Sequence, residues 1–457
     1  MDVAVDLHAH SMFAGGAGGL TTDPSKRGEM LQRAKKRFSL ADTTSALKGL
    51  QVLGSGDIQF DPWLGFVREV LEEEEEGLFK YSEGSGLRYV LQTELILTTQ
   101  VAGSDKRKVT HTVFLFPTIK VVEEFQALLD KYEVKRDRIA RPFLTLDTPE
   151  DVSGVLYEVQ SLDKWVEVIP AHVLTPEGVF GGNEGVNSLD EFYGDFTSEI
   201  HAVETGLSAD PFILAAIPEL DNKTLLSNSD AHSVALHRTG REFTVLSPNH
   251  FTYKSLVEAL RKRQVAFTLE FPPTEGRYFF TGHRAGRKKP GKGHGKDEYC
   301  YFSPDKLPEG NICPICDAPL TKGVLQRVLE IGHHQGSSRT LESLESHIKQ
   351  SFIHGVPLIE VVAMGLQLKS PTSKTAAKHY KELVEPFGDE VSLWRTDLDT
   401  FLSEVPTSTP AAIREAVAEV KKDNFSFSPP GFDGSYGKLQ LGCQVELLGH
   451  AVVHRGT

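Results

Sequence analysis

A chain of 457 residues exceeds what one hydrophobic core usually holds, so two or three domains are expected. Hydrophobic residues at 39% and charged residues at 25% fit a soluble globular protein, and no apolar run approaches the ~20 residues that span a bilayer. The net charge of −14 argues against a uniformly basic nucleic-acid coat; four cysteines and no basic-then-apolar N-terminus argue against a disulfide scaffold and a secretory leader, and make the cytoplasm the expected compartment.

The chain opens with MDVAVDLHAHS, in which Val3, Val5 and Leu7 alternate with polar residues. Side chains two apart on a strand share a face, so Asp6, His8 and His10 are expected to project together. DPSKRGEMLQRAKKRF then reads as a helix, with Asp23 as N-cap and Pro24 at the first helical position. Six buried-looking stretches follow. QVLGSGD stops at Asp57, LRYVLQTELILT contains Glu94, KVTHTVFLF contains His111, WVEVIPAH ends at His172, EIHAVETG presents Glu204, and TLLSNSDAH ends in Asp230 and His232. Helix-like segments lie between most of them. This rhythm predicts an α/β fold with a parallel sheet, its ligand-type residues gathered where the strands finish, at the mouth of a β/α barrel. Imidazoles and carboxylates without cysteine suit a hydrolytic cluster of zinc, manganese or magnesium.

Residues 276–296, GRYFFTGHRAGRKKPGKGHGK, hold seven Lys or Arg and no acid, a Gly-rich basic loop. CYFSPDKLPEGNICPIC places twelve residues between Cys300 and a Cys313-x2-Cys316 knuckle, a zinc-site spacing. Cys443 is remote, so His283 or His294 is the candidate fourth ligand. Such a module would be folded by its metal more than by a core. Beyond it, segments within 341–367, 373–387 and 409–422 show helical spacing, and the chain then reaches SPPGFDGSYGKLQL. Phe432 and Tyr436 on that Gly loop are candidates to stack on an exposed base.

DLHAHS, the TE at 93–94, PAH at 170–172, ETG at 204–206 and SNSDAH at 227–232 resemble, in order, the motifs of the polymerase-and-histidinol-phosphatase (PHP) domain over roughly residues 1–275. The resemblance implies a distorted seven-stranded β/α barrel that holds two or three divalent ions, zinc with manganese or magnesium as alternatives. His8, His10, Glu94 and Asp230 would hold one ion, and Glu94, His111 and His172 a neighbour. His232 matches a ligand of the third site. The histidines expected there are absent from SMFAGGAGG and GDIQFDPW, so Asp57 or Asp61 would substitute. Glu204 completes the candidate ligands, and Asp230, Glu94 and His172 are the expected catalytic residues.

A PHP domain followed by CPICDAPLTKGVLQRV and a helical region ending in GFDGSYG resembles the endonuclease Q family over nearly the whole chain. This implies a DNA-repair enzyme that nicks single- or double-stranded DNA 5′ to a deaminated base (uracil, hypoxanthine, xanthine) or an abasic site, in the cytoplasm at the nucleoid. The implied layout is a phosphoesterase barrel over 1–275, a zinc module with its basic loop over 276–335 and a helical region over 336–457. Arg284, Arg287, Lys288 and Lys289 would grip phosphates. Thr175, Ser208 and Ser227 are candidates to line a pocket for a flipped base. A sliding clamp is a further candidate partner, although VELLGHAVVHRGT carries no clamp-binding signature. Two rivals share these residues. A histidinol-phosphate type of phosphatase would use the same cluster but has no need of a zinc module, and a decayed, non-catalytic DNA-binding scaffold would have lost some of the ligands.

Overall fold

The computed structural model describes residues 1–14, 23–84, 86–136, 142–182, 185–288, 293–444 and 446–456. The first strand, Val3–Asp6, is buried along its whole length. It pairs in parallel with Val52–Gly54 and antiparallel with Phe243–Leu246, inside an eleven-stranded sheet. The parallel sheet expected from the strand–helix rhythm is therefore a mixed one. The largest departure is the hairpin of Arg88–Gln100 with Arg107–Phe116. Six residues, VAGSDK, join these strands, far too few for the crossover that a parallel pair requires.

Arg107–Phe116 pairs antiparallel with Glu167–Pro170, and Ala202–Glu204 pairs in parallel with Thr224–Leu226. Two backbone contacts tie that last pair to its neighbours: Val173 N–H donates to Glu204 O at 3.0 Å, and His10 N–H to Ala231 O at 3.0 Å. Residues 8–10, 172 and 230 are thereby drawn to one end of the sheet. Helix Arg27–Lys48 follows the first strand as expected, but Pro24–Lys26 forms a 3-10 turn first, with Asp23 accepting from Ser25 N–H at 2.9 Å.

The C-terminal region contains the helices Leu358–Gly365, Lys374–Val384 and Ala411–Lys421, and it also contains strands. Phe352–His354, within a stretch expected to be helical, extends the main sheet by pairing in parallel with Val265–Glu270. Val361, Leu383, Trp394 and Val417 pack into one buried cluster with Val245 and Leu269 of that sheet. Each fully buried aliphatic side chain contributes about 1.5–3 kcal/mol, so these helices are fastened to the sheet by its own core. Ala451–Arg455 crosses back to complete a three-stranded sheet with Glu298–Phe302 and Thr281–His283. Among the described residues no helix is long and apolar enough to cross a membrane.

Candidate metal centre and adjoining cavity

Two donor groups face each other across the sheet: His8, His10, His172 and Asp230 follow strand ends as expected, whereas Glu94 and His111 lie in mid-strand, within the hairpin of Arg88–Gln100 and Arg107–Phe116. His8, His10 and Asp230 offer atoms within 4.8 Å of one another, and so do Glu94, His111 and His172. Glu94 joins the groups. Its Oε1 lies 2.7 Å from His111 Nδ1, 3.5 Å from His172 Nε2 and 3.6 Å from His8 Nε2, and its Oε2 lies 3.6 Å from His10 Nε2. Asp230 Oδ1 is 3.0 Å from His10 Nε2 and 3.7 Å from His8 Nε2. His8 Nε2, Glu94 Oε1, His111 Nε2 and Asp230 Oδ1 are all buried without a well-formed hydrogen bond. Buried polar atoms are rarely left so, and convergent orphaned imidazole and carboxylate atoms fit divalent cations.

The rings are held from behind, which fixes the nitrogen each presents. His8 Nδ1–H donates to Glu204 at 3.0 and 3.1 Å, and His10 Nδ1–H to Asp57 Oδ1 at 3.1 Å. Thr175 Oγ1 donates to His172 O at 3.0 Å, so at 2.5 Å it accepts from His172 Nδ1–H. In all three rings Nε2 faces the centre, and a cation bound there would take the lone pair that the ring's second proton otherwise occupies. Glu204 and Asp57, expected among the ligands, sit behind the imidazoles and in neither donor group. Asp6 does not join His8 and His10 at the centre; its carboxylate accepts from Ser229 N–H (2.9 Å), Ser229 Oγ–H (2.6 Å) and Gly240 N–H (3.0 Å), bracing the loop that carries Asp230. Asp61 is paired with Arg136 at 2.6 Å. Asp57, His172 and Asp230 all adopt left-handed backbone, with φ of 44°, 31° and 47°. Such residues cost about 1–3 kcal/mol each and persist where their surroundings enforce them.

Gly206 shows why the ETG motif ends in glycine: its φ is +65°, and a Cβ there would lie 2.4 Å from His172 Cβ. The electrostatics favour cations. Burial opposes charge on His8, but Glu204, Asp230 and Glu94 outweigh it and hold the ring up to about 9. Burial also opposes ionisation of Glu94, yet His111, His172 and His8 keep its carboxyl well below the usual range.

His232 is half exposed and packs tilted against His10, with ring centroids 4.3 Å apart and ring planes at 43°. It opens onto a cavity of about 620 Å³, which Asp230, Thr175 and Ser208 also line. Ser227 does not line it: its buried hydroxyl sits 2.9 Å from Leu269 O and 3.0 Å from Glu270 Oε2. Arg238, Arg241, Arg277, Tyr278 and Tyr436 line the same cavity. Tyr436 is 57% exposed, and the Arg277 guanidinium lies 5.3 Å from its ring centre. Phe432, the other expected stacking residue, is 6% exposed and packs on Tyr301 instead, 5.0 Å between centroids. Arg284 and Lys288 are exposed, Arg287 is engaged by Asp433 (2.5 Å) and Thr321 (2.6 Å), and Lys289 lies outside the described residues. Arg277 belongs to the basic segment 276–296 singled out above, whereas sequence reasoning missed Arg238 and Arg241. Both follow the Asp230 motif in HSVALHRTGRE, where a basic loop beside a metal motif was a usable signal.

A third donor group lies in the cysteine module: His283, His294, Cys313 and Cys316, all buried, with donor atoms within 4.8 Å of one another. His283 Nδ1 is 3.4 Å from Cys316 Sγ, and His294 Nε2 is 3.2 Å from Cys313 Sγ. The far nitrogens donate to carbonyls, His283 Nε2–H to Pro319 O and His294 Nδ1–H to Glu298 O, each at 2.9 Å. Both histidines thus turn a lone pair toward the thiols, the donor set of a tetrahedral zinc site. Cys300 is 3.6 Å from Cys313 but is not one of the four, and burial pushes its thiol up to about 12.

Fold and site together define a mixed α/β protein with a candidate polynuclear centre on its main sheet and a separate Cys/His centre. No protein-family model matches the chain. The uncharacterised protein YqxK of Bacillus subtilis is 27% identical over 412 residues, which cover 86% of this chain and 89% of that one. An uncharacterised protein of Methanocaldococcus jannaschii is 27% identical over 260 residues, so the match takes in 56% of this chain but only 30% of that relative. The lesion-specific endonuclease PfuEndoQ of Pyrococcus furiosus superposes with a TM-score of 0.73 at 24% identity, over 96% of each chain. An endonuclease Q solved with a 27-mer duplex substrate that carries an abasic lesion at the active site gives 0.71 at 23%, over 99% of each. The chain has the endonuclease Q fold along nearly its full length.

Proposed function

We propose that this protein is a metal-dependent endodeoxyribonuclease that nicks DNA on the 5′ side of a deaminated base (uracil, hypoxanthine, xanthine) or an abasic site. The observation that carries this reading is the meeting of two donor groups at Glu94, next to a cavity walled by arginine and tyrosine. Val3–Asp6, Val52–Gly54, Arg88–Gln100, Arg107–Phe116, Glu167–Pro170, Ala202–Glu204 and Thr224–Leu226 are read as a distorted seven-stranded barrel. His8, His10 and Asp230 would hold one ion, Glu94, His111 and His172 a second, while Glu204, Asp57 and Thr175 keep the rings aimed. Two divalent ions lower the pKa of a bound water toward neutrality and stabilise the entering and leaving oxygens of a phosphoryl displacement. His283, His294, Cys313 and Cys316 would hold a structural zinc, which the small core around Cys300, Phe302 and Leu320 needs in order to fold.

The cavity is large enough for an extrahelical base, and an enzyme that acts beside a damaged base takes it out of the stack, most cheaply where pairing is already weak. Arg238, Arg241 and Arg277 would meet the flanking phosphates. The fold likeness to a chain solved on an abasic duplex supports DNA as the partner. The test incubates purified protein and divalent metal with an end-labelled duplex carrying one uracil or one abasic site, beside an intact duplex and a phosphate monoester. The expected product is a nick immediately 5′ of the lesion, abolished by Asp230→Ala with the fold retained. Hydrolysis of the monoester alone would refute the proposal in favour of a phosphatase.

A further inference from the structure

The cysteine module holds one sulfur more than its candidate zinc needs. Cys300 is the middle residue of Glu298–Phe302, the central strand of the three-stranded sheet, and stands directly across from His283 in the antiparallel register. Residues opposite one another share a face, so the strand turns Cys300 to the side on which His283 meets Cys316. The knuckle closes over that face and sets Cys313 Sγ 3.6 Å from Cys300 Sγ. His283, His294, Cys313 and Cys316 already supply four donors, the full complement of a tetrahedral structural site. Cys300 stands outside that group yet touches one of its thiols. It is fully buried in a small cluster with Phe302, Ala318 and Leu320. Only the knuckle separates these sulfurs from solvent: Ile312 and Pro314 are exposed and Ile315 is half-buried. Cys443, the remaining cysteine, lies beside Gln440 on another loop.

Resting on the reading of this module as a structural zinc site, we propose that Cys300 and Cys313 form a reversible oxidation site: hydrogen peroxide joins them as a disulfide, and the module gives up its zinc. Cys313, held as a thiolate by the metal and by Ile315 N–H at 3.4 Å, is the nucleophile. Its sulfur attacks one peroxide oxygen, the S–O bond forms as the O–O bond breaks, and hydroxide leaves. The Cys300 sulfur then displaces the oxygen from Cys313. The S–S bond forms, the S–O bond breaks, and the Cys300 proton departs with that oxygen as water. The two sulfurs together lose two electrons, and the peroxide takes them up. A disulfide sulfur no longer carries the charge that binds zinc, so three donors remain where four are needed. A module folded by its metal loosens when that metal leaves, and the sheet of Thr281–His283, Glu298–Phe302 and Ala451–Arg455 loosens with it.

The test treats full-length, zinc-loaded protein with hydrogen peroxide in the presence of a metal-responsive chromophore, then alkylates the free thiols and maps the cysteines by mass spectrometry. Cys316→Ser serves as the blank, since it lacks the ion of the module. The expected result is release of one zinc per chain together with a Cys300–Cys313 cross-linked peptide, both reversed by dithiothreitol and added zinc. Cys300→Ser should bind zinc as wild type does and keep it through the same exposure, with thermal unfolding as the check on its fold. Cys443→Ser should release zinc like wild type. A cross-link between Cys313 and Cys316 in the wild-type protein, which is read without any variant, overturns the pairing. So does equal release from Cys300→Ser, and a folded Cys300→Ser that binds no zinc makes Cys300 a ligand instead. Wild-type protein that binds no more zinc than the Cys316→Ser blank overturns the zinc reading itself.

Discussion

Replacing Glu204 by glutamine separates a brace from a ligand. The carboxylate receives His8 Nδ1–H at 3.0 and 3.1 Å, the Asn228 amide at 2.8 Å and the His172 backbone N–H at 3.2 Å, and the residue is only 2% exposed. Glutamine keeps the shape but removes the charge and turns one acceptor into a donor, so one of the three N–H groups is left facing another. A buried donor without a partner costs about 1–3 kcal/mol. Loss of the carboxylate behind a ligating imidazole weakens metal affinity about 10- to 100-fold, or ~1.4–2.8 kcal/mol. Titrating metal-free protein with zinc or manganese against a chromophoric chelator gives the affinity, and elemental analysis at saturation gives the number of ions. The expected outcome is an unchanged ion count with a 10- to 100-fold weaker affinity. Loss of one ion per chain at saturation would make Glu204 a ligand, and an unchanged affinity would remove its role altogether.

Gly206→Ala should destabilise the fold by about 2 kcal/mol or more, read as a lower urea midpoint, because the added Cβ lies 2.4 Å from that of His172 and the backbone is left-handed at φ +65°. His354 makes stability depend on pH. Burial opposes its charge, but Asp210 at 2.9 Å and Asp423 at 3.4 Å raise it from 6.5 to about 10. A folded pKa above the unfolded one stabilises in full below about pH 6.5 and is lost as pH climbs toward 10. With the ring 22% exposed solvent screens part of this, so the gap in urea midpoint between wild type and His354→Gln should be small, widest below pH 6.5 and closed by pH 10. Cys316→Ser should release one zinc per chain and open the segment around Glu298–Phe302 to protease while the main sheet stays folded; a variant that keeps its zinc would contradict the donor set.

The motif residues were legible because His8, His10, His172 and Asp230 follow buried strands, and Glu94 and His111 were legible only as polar residues inside apolar runs, since both lie in mid-strand; all six fall into two donor groups. Whether a carboxylate faces an ion or the back of an imidazole was not legible, since spacing carries no sign of direction. Asp57, Glu204 and Asp6 therefore read alike and are placed differently. Sheet direction was missed at VAGSDK, where the short glycine-containing turn between two apolar runs pointed to a hairpin. Phe352–His354 and Phe425–Phe427 were missed because three-residue strands are too short to show alternation. Phe432 and Tyr436 share one Gly loop, and only the packing of Tyr299 and Tyr301 decides that the first is covered and the second is not.

A dinuclear centre held by His8, His10, Glu94, His111, His172 and Asp230 is tested most directly by anomalous diffraction from crystals soaked in manganese. The expected map holds two strong peaks sharing Glu94, one among His8, His10 and Asp230 and the other between His111 and His172. A map without density there, with these side chains turned away from one another, would contradict it.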